Sequence, residues 1–197
     1  MKRVWVGLSI LLSISTAFAG DKEKRFAPKP ASSYPTKQSQ GKVTVAAVPY
    51  VDDEENRDIF GKGNPYKYGV LPVLVIIQND SGQALRLDLK SEYIDARGRH
   101  IEAVSARDIY SAGPGPKRPN VGGSPSPIPL PKKKNPLSSL EITGLAFSAR
   151  MVPAGESVHG FFYFSTQLEP EARLYLTGLS EARTGNELFY FEIPLTQ

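Results

Sequence analysis

A serine and a histidine two residues apart come nearest, in this sequence, to a catalytic motif. In "VPAGESVHGFFYF" (152–164), Gly155, Ser157 and His159 follow at two-residue steps, one residue away from the G-x-S-x-G signature of serine hydrolases. A nucleophile elbow needs glycine on both sides of the serine and a helix after it, whereas here His159 takes the second position and β-forming residues follow. No carboxylate or oxyanion donor is marked. We interpret the peptide as a turn that enters a strand, with a serine hydrolase using Ser157 and His159 as the less favoured alternative.

Metal and phosphate ligands are scarce. His100 and His159 are the only 2 histidines, and cysteine is absent. A zinc site would need both imidazoles to converge with a carboxylate. The acidic peptide "YVDDEENRD" lacks the spacing of a calcium loop, and "GPGPKRPNVGG" lacks the G-K-[ST] ending of a phosphate loop. We therefore predict no metal site and no cofactor.

Aromatic residues are concentrated in "GFFYF", near the middle of a predicted strand. Side chains alternate between the two faces of a strand, so if Phe162 and Phe164 point inward, Phe161 and Tyr163 point outward. Outward rings form either a contact surface or a surface that the chain covers with its own segments, such as residues 111–136.

A second aromatic strand, "ELFYFEIPL" (187–195), has the same alternation. With Phe189 and Phe191 inward, Tyr190 points outward. Such rings suit the docking of a partner protein or stacking on sugars, so a carbohydrate-binding module that uses Tyr163 and Tyr190 is an alternative function.

Residues 111–136 form a long Pro/Gly-rich insertion, with eight prolines and four glycines among 26 residues. This composition is typical of a polyproline or disordered loop, and loops of this length are usually functional or disordered. The peptide "PSPIPLP" contains Pro125, Pro127, Pro129 and Pro131, which would suit an aromatic groove of a partner. A solvated spacer is the simpler interpretation.

The first 19 residues have the features of a secretory signal peptide. Lys2 and Arg3 precede a short apolar run, and Ala17-Phe18-Ala19 is a small-x-small cleavage signal. The apolar run is about a dozen residues, whereas a membrane-spanning helix needs roughly 20. We expect cleavage after Ala19, no transmembrane segment in the mature chain, and a periplasmic or extracellular location.

The charge of the chain argues against nucleic-acid binding. The formal net charge is +4, and removal of Lys2 and Arg3 with the signal leaves about +2. The remaining basic residues are scattered through tail segments such as "DKEKRFAPKP" and "PKKKNP", so they form no electrostatic footprint for nucleic acid.

The pattern after the signal peptide predicts an all-β fold. Residues 20–41 are rich in Pro, Lys, Ser and Gln and are predicted to form a flexible leader. Between residues 42 and 197 we predict about seven to eight strands, including a core strand over 70–79, an alternating strand over 84–94 and a strand around 146–150. Short strands with frequent turn signals and almost no helix favour an immunoglobulin-like antiparallel β-sandwich in one domain with a long Pro-rich loop.

Three peptides carry a resemblance to a known family. "PVLVIIQNDSG", "IDARGRHIEA" and "VPAGESVHGFFYF" resemble the turns and strands of telokin-like, immunoglobulin-fold domains of exported bacterial proteins of unknown function. The resemblance covers roughly 42–104 and 150–179 and implies a fold and an extracytoplasmic location, but no catalytic residue. We therefore expect a non-catalytic binding or structural module of the bacterial envelope. Its partner would be an envelope protein or a glycan, and Phe161, Tyr163, Tyr190 and the four prolines of "PSPIPLP" are the candidate contact residues.

Overall fold

The computed structural model describes residues 26–61, 63–112, 137 and 140–195. The predicted signal peptide and the prolines of "PSPIPLP" lie outside these residues, so both stay predictions.

The described residues are mostly β, which confirms the predicted class. They form ten strands and three α-helices, with two 3-10 turns at Ala31–Ser33 and Tyr66–Tyr68. The strands are β1 Lys37–Gln40, β2 Val43–Pro49, β3 Leu71–Asn79, β4 Leu85–Ile94, β5 His100–Glu102, β6 Met151–Val152, β7 Ser157–Phe164, β8 Arg173–Glu181, β9 Glu187–Leu188 and β10 Phe191–Pro194. The helices are α1 Asp53–Phe60, α2 Ala106–Ala112 and α3 Leu140–Gly144.

The strands pair in two antiparallel sheets. One has four strands in the order β1-β2-β3-β7, and the other has the order β10-β8-β4-β5, with β6 paired to β4 and β9 paired to β8. The sequence predicted about seven to eight strands, and the short strands β1 and β6 were not among them. Pairing by backbone hydrogen bonds is what assigns such short segments to a sheet, and it leaves little pattern in the side chains.

The main core lies between the sheets and receives apolar side chains from both. In the six-stranded sheet, alternate residues of β4 and β8 point into it, as the alternation of "LRLDLKSEYI" predicted for Leu85 and Leu87. Every residue from Leu71 to Ile77 in β3 is buried, because a second apolar cluster covers the other face of the four-stranded sheet. That cluster includes Phe60 of α1, Ile109 of α2 and Ile142 of α3.

The turn peptides behind the family resemblance are joined by one buried side chain. Asn79 is 0% exposed at the end of β3, and its amide donates to the carbonyl oxygens of Gln83 (2.9 Å) and Pro153 (3.0 Å). Its side-chain oxygen Oδ1 accepts from the backbone N–H of Ser81 at 3.1 Å. The turn after β3 and the turn before β7 are therefore held together by Asn79.

The prediction of a flexible leader up to residue 41 is wrong for its last part. Lys37–Gln40 form the edge strand β1 on β2, and Ala31 is buried in the second cluster. The polar composition of the segment did not indicate this strand. An edge strand is stabilised by backbone hydrogen bonds to its neighbour and needs few apolar side chains.

Two later strand predictions also need correction. Residues 146–150 are not a regular strand: only Ala146 makes an isolated bridge, to Phe161, before the two-residue strand β6. The predicted strand over 187–195 is divided into β9 and β10, with Phe189 and Tyr190 between them. Phe189 therefore does not follow the inward alternation and is 85% exposed.

Two glycines allow backbone segments to approach closely. A Cβ on Gly178 of β8 would lie 1.9 Å from the carbonyl oxygen of Asp88, and the φ of Gly178 is +86°. At this position Asp88 and Leu89 of β4 lie opposite Gly178 alone, which is a β-bulge. A Cβ on Gly160 would lie 2.5 Å from Cα of Phe147, so Gly160 lets residues 145–150 run against β7.

Candidate functional site

Ser157 and His159 lie on a strand, as predicted, and neither has a catalytic partner among the residues that the structure describes. Both side chains are exposed at the start of β7, opposite Gln78 and Ile76 of β3. They line an open cavity of about 320 Å³, yet among the described residues neither side chain makes a hydrogen bond or an ion pair. The ring nearest to the His159 imidazole is that of Phe26, with centroids 6.0 Å apart. A triad needs a carboxylate that orients the imidazole, and no such contact is present in this part of the chain.

Phe161 and Tyr163 are not contact residues, because the chain covers both. Each is 1% exposed beneath the helices that pack on the four-stranded sheet. Phe60 of α1 lies edge-on to Phe161 with centroids 4.9 Å apart, and the Tyr163 hydroxyl donates to the carbonyl oxygen of Ile142 in α3 at 2.8 Å. Burial raises the pKa of the Tyr163 phenol far above its usual range. Of the two interpretations, cover by the chain itself is the one that holds.

Tyr190 is exposed, and it has aromatic neighbours that the sequence did not single out. Its side chain is 45% exposed, and its ring centroid lies 5.3 Å from that of Tyr175 on β8. The ring of His100 on β5 lies 6.3 Å from Tyr175 on its other side. These three rings form a surface on the outer side of the six-stranded sheet, which we call the aromatic face (His100, Tyr175, Tyr190). Phe189, which precedes Tyr190 in the chain, is also exposed.

Carboxylates flank the central ring of the aromatic face. The register places Tyr175 of β8 between Glu192 of β10 and Glu92 of β4, and Glu92 is in turn opposite Glu102 of β5. Leu174 and Leu176, the neighbours of Tyr175, are both 0% exposed in the core. The alternation of β8 therefore turns Tyr175 and its cross-strand neighbours to the outside.

Two of these carboxylates have cationic or imidazole partners on the same face. Glu192 accepts from the guanidinium of Arg173 at 2.5 Å, and Glu92 pairs with Nδ1 of His100 at 2.5 Å. The pairs hold hydrogen-bonding groups in set positions beside the Tyr175 ring. Exposed ion pairs contribute little to folding stability, so their main effect here is on the shape of the surface.

The edge strand β1, which the sequence did not predict, positions the backbone that carries Tyr190. The amide of Gln40 donates to the carbonyl oxygen of Tyr190 at 2.7 Å, and the side-chain oxygen of Gln38 accepts from the backbone N–H of Glu192 at 2.6 Å. These bonds connect the edge of the four-stranded sheet, β1, to the edge of the six-stranded sheet at β10. Residues 37–40 are thus part of the support for the aromatic face.

A groove along the open side between the sheets is the other notable concavity. It has a volume of about 510 Å³ and contains the rings of Phe147 and Phe162, which stack with centroids 5.2 Å apart and planes at 14°. Ser91 of β4 contributes to its wall, but the Ser91 hydroxyl is itself buried and has no partner within the described residues. A ligand in the groove would therefore meet mainly apolar surface and not this hydroxyl.

The described part of the chain contains no group of three or more His, Asp or Glu side chains placed to hold a metal ion. Within that part, none of the helices is both long and apolar enough to cross a membrane.

No protein-family model matches this sequence, and no curated protein is detectably similar to it. The resemblance to telokin-like domains therefore stays a prediction.

Tyr175 and Phe189 are the surface residues that sequence reasoning missed. The signal for Tyr175 was present in "ARLYLTGL", because inward Leu174 and Leu176 require an outward residue between them. Phe189 gave no such signal, since its exposure depends on the break between β9 and β10.

Proposed function

We propose that this chain is a non-catalytic binding module of the bacterial envelope. It is exported by the predicted signal peptide, adopts an immunoglobulin-like sandwich, and contacts its partner through the aromatic face. The partner is a component of the envelope, protein or glycan, that the module holds without changing it chemically.

One observation carries this proposal: the exposed aromatic rings on the outer side of the six-stranded sheet. Tyr190 is 45% exposed on this face. Phe189, next to it in the chain, is 85% exposed, although every other Phe in the described residues is at least partly buried. Exposed aromatic rings are favoured at binding surfaces because each removes a large apolar area from water when a partner covers it. The neighbouring Tyr175 extends the surface across β8.

The rival function is a serine hydrolase, and the position of Ser157 argues against it. Asp80 and Glu156 line the same cavity as Ser157 and His159. Within the described residues, however, the His159 ring makes no hydrogen bond or ion pair with a carboxylate or with the Ser157 hydroxyl. Replacement of Ser157 by Ala provides the direct test. Hydrolysis of a chromogenic ester by the wild-type chain, lost in the Ser157→Ala variant, would contradict the proposal.

The binding proposal is tested with immobilised mature chain, residues 20–197, and solubilised envelope of the native bacterium. We expect a partner that is retained by the wild type and lost in Tyr190→Ala and Tyr175→Ala variants. Tyr68→Ala is the matched control, because Tyr68 is 38% exposed but belongs to a 3-10 turn and is not part of the aromatic face. Retention that all three variants leave unchanged would exclude the aromatic face as the contact.

The Pro-rich segment is a separate predicted contact and needs its own test. Deletion of residues 113–134 should leave capture through the aromatic face intact. Loss of the same partner on this deletion, with the aromatic variants unaffected, would make the prolines the contact. Export is tested by sequencing the N-terminus of the processed protein, which should begin at Gly20.

A further inference from the structure

We infer that the aromatic face binds an uncharged glycan chain. The inference rests on the proposed function and names the chemical class of its ligand. Three features of the face lead to it: the adjacent rings, the carboxylates beside them, and the fixed positions of both.

The rings provide a surface on which sugars can stack. The ring centroid of Tyr175 on β8 lies 5.3 Å from that of Tyr190, just before β10, and 6.3 Å from that of His100 on β5. The three rings therefore form a row across the sheet. A sugar ring presents C–H groups on its faces, and these are attracted to the electron-rich face of an aromatic ring. Adjacent rings can therefore follow a chain of sugars where a single ring would hold one.

The carboxylates distinguish a glycan from a protein as the ligand. The centre of a protein interface is depleted of charge, because a carboxylate that loses its water must find other partners. Here Glu192 and Glu92 flank the central ring, so a protein that covered Tyr175 would also remove both carboxylates and their partners, Arg173 and His100, from water. Desolvation of charged groups is costly even when they are paired. Sugar hydroxyls, in contrast, donate hydrogen bonds to carboxylate oxygens, which accept at several positions. The flanking groups favour a hydroxyl-rich ligand.

The charges also indicate which glycans fit. The cross-strand row contains the carboxylates of Glu192, Glu92 and Glu102, and the partner of the first is the guanidinium of Arg173. Carboxylates outnumber cations in this row, which disfavours acidic polysaccharides because like charges repel. An uncharged chain meets the same hydrogen-bonding groups without that repulsion.

The face is held in position before any ligand binds. Gln38 and Gln40 of β1 hold the backbone at residues 190 and 192, and the contacts with Arg173 and His100 hold the side chains of Glu192 and Glu92. Side chains that are already ordered lose less conformational entropy on binding. A fixed platform therefore suits repetitive, weakly interacting units such as sugars.

The experiment measures retention of the mature chain on cellulose, chitin, starch granules and peptidoglycan sacculi stripped of their peptides. We expect saturable binding to at least one of these glycans. Tyr175→Ala and Tyr190→Ala should each weaken that binding about tenfold, as the loss of one stacked ring implies. Tyr175→Phe keeps the ring and should retain most of the affinity, and Tyr68→Ala should bind like the wild type. Equal urea midpoints would show that the variants are folded.

The outcomes separate this inference from the proposed function. Absence of binding to all four glycans would overturn the glycan inference, while capture of a protein that depends on Tyr190 would still support the binding module. Glycan binding that neither Tyr175→Ala nor Tyr190→Ala weakens would also overturn it, because the ligand would then lie elsewhere. Weakening by these two variants alone would support it.

Discussion

Replacement of Gly178 by alanine should be among the most damaging single-methyl changes in the described residues. Gly178 has a φ of +86°, and a Cβ there would lie 1.9 Å from the carbonyl oxygen of Asp88. That oxygen belongs to the backbone of the neighbouring strand β4, so it cannot move aside as the end of a side chain can. Relief would require β4 and β8 to separate at the bulge, three residues from Tyr175.

Two contributions lower the free energy of unfolding when alanine replaces glycine at this position. A non-glycine residue in the left-handed region costs roughly 1–2 kcal/mol. Forcing an additional methyl into a packed site typically costs about 1–3 kcal/mol more. The free energy of unfolding should therefore fall by about 2–5 kcal/mol, which for a chain of this size lowers the melting temperature by roughly 5–15 °C.

Gly185 is a matched control for the first cost alone. Its φ is +75°, and nothing lies within 4 Å of a Cβ built on it. Gly185→Ala should therefore lose only about 1–2 kcal/mol. Urea unfolding of wild type and both variants, followed by far-UV circular dichroism, measures the difference between them. Equal losses in the two variants would show that β4 does not approach Gly178 as described and would refute the reasoning.

The remaining predictions concern other parts of the fold. Gly160→Ala should lower the free energy of unfolding by about 1–3 kcal/mol, because the new Cβ would lie 2.5 Å from the backbone of Phe147. Gly144→Ala should not lower it, because nothing lies within 4 Å of a Cβ at that position. Equal urea midpoints for the two variants would contradict this prediction. The pKa of Asp95 is lowered chiefly by the hydrogen bond from the backbone N–H of Arg99. The carboxylate therefore stabilises the fold fully at pH values above the unfolded pKa of about 4. This stabilisation is lost as the pH falls through the lower pKa of the folded state. Asp95→Asn should remove this acid dependence from unfolding curves measured between neutral and acidic pH, and an unchanged dependence would assign it to other groups. Ser91→Ala removes a buried hydroxyl without a partner in the described residues and should leave stability unchanged or raise it by up to about 1 kcal/mol; a clear loss would reveal a hydrogen bond.

Much of the fold could be predicted from local pattern. The apolar run of β3, the alternation of β4 and the strand character of "SVHGFFYF" are each visible within ten residues of sequence, and all three are strands. The start of α1 is likewise determined locally: the Asp52 side chain accepts from the backbone N–H groups of Glu54 and Glu55, as an N-cap does. These features depend on neighbours in the chain.

The candidate site was predicted less well, because exposure depends on distant segments. The alternation correctly separated Phe161 and Tyr163 from the inter-sheet core, but it could not show that α1 and α3 cover them. It also placed Tyr190 outward without revealing that Tyr175 lies beside it, since the two are joined only through the pairing of β10 with β8. The contact residues of "PSPIPLP" lie outside the described residues and stay predicted.

By itself, the sequence determined the long strands β3, β4 and β7 and the alternation of side chains between their faces, because both follow from side-chain spacing along a pleated backbone. Only the tertiary structure decided which outward residues meet solvent. Phe161 and Tyr190 have the same local pattern, yet the first is buried under a helix and the second is exposed beside Tyr175. The physical reason is that burial is a property of what packs against a face, and for Phe161 the covering residue, Phe60, is about a hundred residues away in the chain. The same reason explains why residues 37–40 form a strand. Their backbone pairs with β2, and the side-chain amides of Gln38 and Gln40 bond to the backbone of residues 190 and 192.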